Sequence, residues 1–163
     1  MRSQQALTQS LVSVLRMAKV NRYLEDKAMD HIDHAIGRPV DPMDESYRNC
    51  FAVGEGPQAD AFRSSPFWKY DGKHGSLLYF SVTDKGRRAL RDHLRAIADP
   101  HRAYDVTFGG YTTTVVGTSP ANAKYQHWLI VSDVAPDLTF GDYQRRARAR
   151  LARPAPSRDG KEG

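Results

Sequence analysis

"LLYFSVTDKGRRALRDHLRAI", residues 77–97, sets a strand, a cap and a basic helix in immediate succession. Leu78, Phe80 and Val82 alternate with Tyr79 and Ser81, the period of a half-buried strand. Thr83 is placed to cap the helix, and Asp84 puts a negative charge at its positive end. Gly86 lets the first helical turn lie against the sheet, and Leu90, Leu94 and Ile97 fall on one apolar stripe. Asp99-Pro100 stops the helix. Arg88, Arg91 and Arg95 recur at i, i+3, i+7 on the outer side, with Arg87 beside them.

Upstream, "YDGKHGS" holds Asp71-Gly72 and Gly75 between two apolar edges, the form of a hairpin or an extended loop. "PQADAFRSSPFW" predicts a helix of about two turns with Phe62, Phe67 and Trp68 inward. From Pro39 to Asp71 the chain is punctuated by Pro42, Gly54, Gly56, Pro57 and Pro66, so only short elements fit. In residues 1–38, Leu7, Leu11, Val14, Leu15, Ala18, Val20 to Leu24, and then Ile32, Ala35 and Ile36 predict helix in two pieces. The first 24 residues contain no acidic residue and read as an arm, a partner-binding helix or upstream sequence, with Met29 a possible alternative start.

Downstream, Tyr104, Val106 and Phe108 alternate before a Gly109-Gly110 turn, and Val115 and Val116 follow it. Ser119-Pro120 opens a helix carrying Ala123, His127 and Ile130 on one face, so 103–153 reads as a ββα unit. Tyr111, Tyr125 and Trp128 are assigned to its core. A basic helix beginning near Thr139 carries Arg145, Arg146, Arg148, Arg150 and Arg153, and residues 154–163 read as a disordered tail.

The chain of 163 residues, 40% apolar, suffices for a real core. It has no run of about 18 apolar residues and no secretory signal, so the expected compartment is the cytoplasm, away from any membrane. Cys50 is alone, which excludes an intrachain disulfide and predicts a buried apolar thiol. Charge comes in blocks: residues 29–60 hold two Lys/Arg against seven Asp/Glu, residues 61–103 nine against four, and residues 144–163 seven against two. Such blocks make electropositive faces that fit an acidic partner.

Tyr79, Val82, Thr83, Gly86 and Leu90 form the pattern aromatic-x-x-apolar-Thr-x-x-Gly-x-x-x-Leu, which resembles the wing strand and following helix of winged-helix proteins. The resemblance covers residues 58–97. It implies Lys73 and His74 at a wing tip touching phosphate, and a short reading helix at Gln58 to Ser65 whose strong base reader is Arg63. "DHIDHAIGRP", "YRNCFAV", "YFSVTDKGRRAL" and "SDVAPDLTFGDYQRRARAR" are similar to segments of small phage and prophage proteins of proteobacteria, which implies a phage accessory role.

His31 and His34 in "DHIDH" share a helical face, but two imidazoles are not a metal site, so no metal and no cofactor are expected. There is no G-x-S-x-G, H-E-x-x-H, P-loop or G-x-G-x-x-G, and no catalytic residues are assigned; an enzyme built from scattered Asp, His and Tyr would leave no spacing signal. Arginine favours phosphate and carboxylate partners over simple solvation. The expected architecture is α+β: an N-terminal helical segment (1–38), a winged-helix-like centre (39–99), and a ββα unit with a basic C-terminal helix (103–153). The expected role is non-catalytic binding of DNA or RNA through Lys73, Arg87, Arg88, Arg91, Arg145, Arg146, Arg148 and Arg150. The alternatives are an inhibitor of a host defence nuclease complex, anti-CRISPR-like, in which the acidic block from Asp30 to Asp60 imitates phosphate, or an unrecognised enzyme.

Overall fold

A computed structural model describes residues 20–44 and 46–153, which fall into two compact units, one over Lys19–Asp99 and the other continuing from Pro100. Both are mixed α and β, so the α+β expectation holds. Among the described residues no helix is long and apolar enough to cross a membrane.

In the first unit the order is α1 (Lys27–Ala35), β1 (Phe51–Gly54), α2 (Pro57–Ser64), β2 (Trp68–His74), β3 (Leu77–Val82) and α3 (Asp84–Ala96). The strands form an antiparallel sheet in the order β1-β3-β2. Leu78, Phe80 and Val82 of the middle strand are buried while Leu77, Tyr79 and Ser81 are not, as the period-2 pattern requires. Gly75 (φ 59°) sits in the turn, whereas Asp71-Gly72 lies inside β2, where the register slips between Tyr70 and Gly72 as in a bulge. Thr83 caps α3 by accepting from Gly86 N (3.2 Å) and donating to Pro66 O (2.8 Å). A Cβ on Gly86 would stand 2.7 Å from Phe67 O and 2.8 Å from Val82 Cγ1, so glycine is what lets α3 approach the sheet.

Three local expectations are corrected. Residues 20–26 are not helical; α1 starts at Lys27, capped by Asp26, and the first helical piece lies outside the described residues. Ile97 is the C-cap of α3 and half exposed, because the helix ends before the stripe completes. Cys50, just before β1, is exposed. Nor is α1 a separate segment, for Ile32, Ala35 and Ile36 join Phe80, Leu90 and Leu94 in one core. Beside that core Asp33, fully buried, accepts from Arg22 Nε (2.8 Å) and NH2 (2.7 Å) and lies 3.3 Å from Arg38 NH1, a paired charge cluster with its hydrogen bonds satisfied.

The second unit contains β4 (Arg102–Phe108), β5 (Tyr111–Gly117), α4 (Pro120–Val131), α5 (Phe140–Arg146) and β6 (Arg148–Leu151) in an antiparallel sheet β5-β4-β6. Gly109 (φ 60°) and Gly110 (φ 84°) make the two-residue turn that the right-handed twist of a hairpin favours. Ser119 caps α4 and Thr139 caps α5, as read from the sequence. Tyr104, Val106 and Val115 pack with Ala123, Tyr143 and Ala147. The expected basic helix is cut short: α5 ends at Arg146, Ala147 turns to an extended conformation, and Arg148–Leu151 form a strand against β4. In "ARARL" the alanines recur with period 2, so Ala147 is buried and Ala149 half-buried against the core while Arg148 and Arg150 stay exposed.

Candidate nucleic-acid interface

In the first unit Leu90 and Leu94 turn α3 so that Lys85, Arg88 and Arg95 are exposed and Arg91 is half exposed. Arg88 and Arg95 have no side-chain hydrogen bond or ion pair to other described residues, and Arg91 Nε reaches Asp92 at 3.2 Å. Arg87 points elsewhere. Its NH1 donates to Pro42 O (2.9 Å) and Asp44 O (3.3 Å), and its NH2 to Ser46 Oγ (2.9 Å). Burial pushes its pKa down, with Asp84 opposing. Arg87 is therefore a strut for the 42–46 loop.

On the β2–β3 hairpin, Lys73 is exposed and pairs loosely with Glu55 (3.7 Å), and His74 lies exposed beside the turn. Arg63, at the end of α2, lies between Glu55 (3.4 Å) and Asp60 (3.2 Å) and over the Tyr70 ring. The same carboxylates are thus engaged by basic neighbours. Asp30 and Asp33 are likewise spent on Arg38 and Arg22. Burial works to raise the Asp30 pKa, but the Arg38 hydrogen bond and the Leu24 N–H outweigh it and hold the carboxyl below its usual range. His31 and His34 stand edge-on to the Phe51 ring. Among the described residues no group of three or more potential ligands is placed to hold a metal ion.

The second unit concentrates guanidinium. Thr139 accepts from Asp142 N and donates to its carboxylate; this hydrogen bond, then Arg145, lowers the Asp142 pKa. Arg145 pairs with Asp142. Arg146 lies over the Phe108 ring, 4.9 Å from its centroid. Arg148 NH1 donates to the carbonyls of Arg145 (2.9 Å) and Ala147 (3.1 Å), which fixes its stem and leaves its remaining N–H groups without a partner among the described residues. Arg150 stands opposite Asp105 in the ladder, yet Asp105 accepts from Thr114 and forms no ion pair with it. All four arginines are exposed, and Asp142 is their one carboxylate partner among the described residues. The strand sends Arg148 and Arg150 to one face of the sheet, opposite Thr107 and Asp105, while Arg145 and Arg146 lie on the last turn of α5.

Of the seven arginines and one lysine expected to contact phosphate, four share the α5–β6 segment, Arg88 and Arg91 share α3, Lys73 stands on the hairpin, and Arg87 is turned inward. The sequence reading missed Tyr111 and Tyr125, assigned to the core but 77% and 46% exposed. A hairpin end and the outer side of a helix in which polar and apolar residues are not segregated to opposite faces put them there. Comparison with protein-family models, curated proteins and solved structures returned no match.

Proposed function

We propose that this chain is a non-catalytic nucleic-acid-binding protein, an accessory or regulatory factor of phage origin acting in the cytoplasm. It holds the phosphate backbone through Arg145, Arg146, Arg148 and Arg150, with Arg88 and Arg91 of α3 as a second contact and Lys73 at a wing. The observation that carries this reading is the α5–β6 cluster: four exposed guanidinium groups within six residues, matched by one carboxylate among the described residues. Such a cluster is self-repelling until anions meet it, and the planar donors of arginine match phosphate oxygens. The strand, cap and basic helix of α3, with the hairpin before it, support a winged-helix-like role for the first unit. A phosphate-mimicking inhibitor would need free carboxylates, whereas in the acidic block Asp30, Asp33, Glu55 and Asp60 already have basic partners, which leaves Asp41 and Asp44 as its described carboxylates without an ion pair.

The test is anisotropy of labelled oligonucleotides at about 50 and about 200 mM salt, across which phosphate-held complexes weaken steeply by counterion release. The double substitution R145Q/R146Q is expected to flatten the salt slope by about one unit per lost contact and to weaken all sequences alike. Absence of binding to duplex and single strand at the lower salt overturns the reading.

A further inference from the structure

We propose that the strand bound by the second unit is single, with Tyr111, Phe140 and Tyr125 stacking on its bases while Arg145 and Arg146 hold its phosphates. This rests on the nucleic-acid reading above and names the class of ligand. A row of rings leads from the core to the surface. Tyr143, fully buried, touches Phe108 (4.9 Å between centroids), Trp128 (5.5 Å) and Phe140 (6.4 Å), and Phe140 in turn meets Tyr125 edge-on at 6.0 Å. Exposure rises outward along it, to 38% at Phe140 and 46% at Tyr125; from Phe108 a second branch runs through the strand ladder, where Tyr111, opposite it at the end of the hairpin, is 77% exposed.

The row is interleaved with charge. The Arg146 guanidinium already lies over Phe108 within cation–π distance, and Arg145 is its exposed neighbour. Aromatic platforms beside backbone-tracking cations are how proteins hold single strands, because every base has a π face and any sequence will serve. In a duplex those faces are covered by neighbouring base pairs, so a row of rings gains nothing there. The two-residue Gly109-Gly110 turn holds Tyr111 on a short hairpin in place of a long loop, which keeps the ordering cost of stacking small. A second copy of the chain fits less well: a two-fold contact centred on these rings would bring Arg145 and Arg146 of both copies together.

The experiment compares the full chain on labelled oligothymidylate and a duplex, each of about 20 nucleotides per strand, at equal salt. The single strand is expected to bind more tightly. Tyr111→Ala is expected to lose roughly tenfold or more in single-strand affinity, with duplex affinity and salt slope unchanged. Tyr111→Phe should restore binding, and Tyr125→Ala should reproduce the loss if Tyr111→Ala does not fold. Equal binding of both probes, or intact binding in the folded alanine variants, overturns the stacking proposal while the phosphate reading stands. No binding to either probe removes that reading and this proposal together. A wild-type dimer that sedimentation shows falling to monomer in Tyr125→Ala also overturns it, by assigning the rings to a contact between copies.

Discussion

His127 and Tyr143 share a buried hydrogen bond of 2.7 Å between Nδ1 and the phenol oxygen. Burial pushes the imidazole pKa below its ordinary value and the phenol up to about 12. The tyrosine therefore stays neutral throughout the working range, and the histidine is the group that makes this core acid-sensitive. Because the folded-state pKa is depressed, the unfolded chain takes up the proton first as the pH falls. Stability is fully present above the unfolded pKa of about 6.5 and is lost below it until the folded pKa is passed. In a W68F background, the urea midpoint followed by Trp128 fluorescence should thus drop between about pH 7.5 and about pH 5, and adding His127→Gln should make it drop less over that window while starting lower. Equal slopes would defeat the assignment. His127 was legible as a face-forming residue from its spacing with Ala123, but its partner was not, since Tyr143 lies on another helix. Cys50 shows the opposite failure: a lone cysteine, a residue type usually buried, reads as burial, while its backbone N–H bonds to Ala35 O and the thiol is left outside.

At the scale of elements, legibility followed the number of independent signals. The strand–cap–helix of residues 77–96 combined period, cap and glycine, and all three appear at the expected residues. Thr83→Ala removes an N-cap acceptor and a donor to Pro66 O, and should lower stability by about 1 kcal/mol, read from chemical denaturation; a change near zero would show that α3 does not depend on its cap. For β6 the signals conflicted. Arginine and alanine favour helix as residue types, whereas their alternation has the period of a strand, and β4 presented an edge that decided for the strand. The four arginines were found by composition alone, but their division between a helix end and a sheet face needed the pairing partner. Arg87 illustrates the limit of a basic run: three residues before Leu90 and seven before Leu94, it flanks the apolar face, and carbonyls of a loop some forty residues earlier capture it.

For the whole molecule, the two hydrophobic cores share no residue, and each contains or adjoins one of the two tryptophans. Trp68 is stacked on Phe62 at 4.1 Å in the first, and Trp128 packs against Tyr143 in the second. Single-tryptophan variants, W128F reporting the first unit and W68F the second, are expected to unfold in urea with different midpoints, so that one two-state free energy does not describe the chain. Coincident transitions from both reporters would show the units to be thermodynamically one. The order of the strands also has a consequence during synthesis. Every strand of the first sheet is complete before residue 99, whereas β4, the middle strand of the second, waits roughly forty residues for β6. Until then the nascent β4–β5 hairpin has one edge of unpaired backbone. Arg148 and Arg150 close that edge and also form half of the proposed phosphate surface, so on the ribosome the sheet is sealed and the surface assembled in the same step.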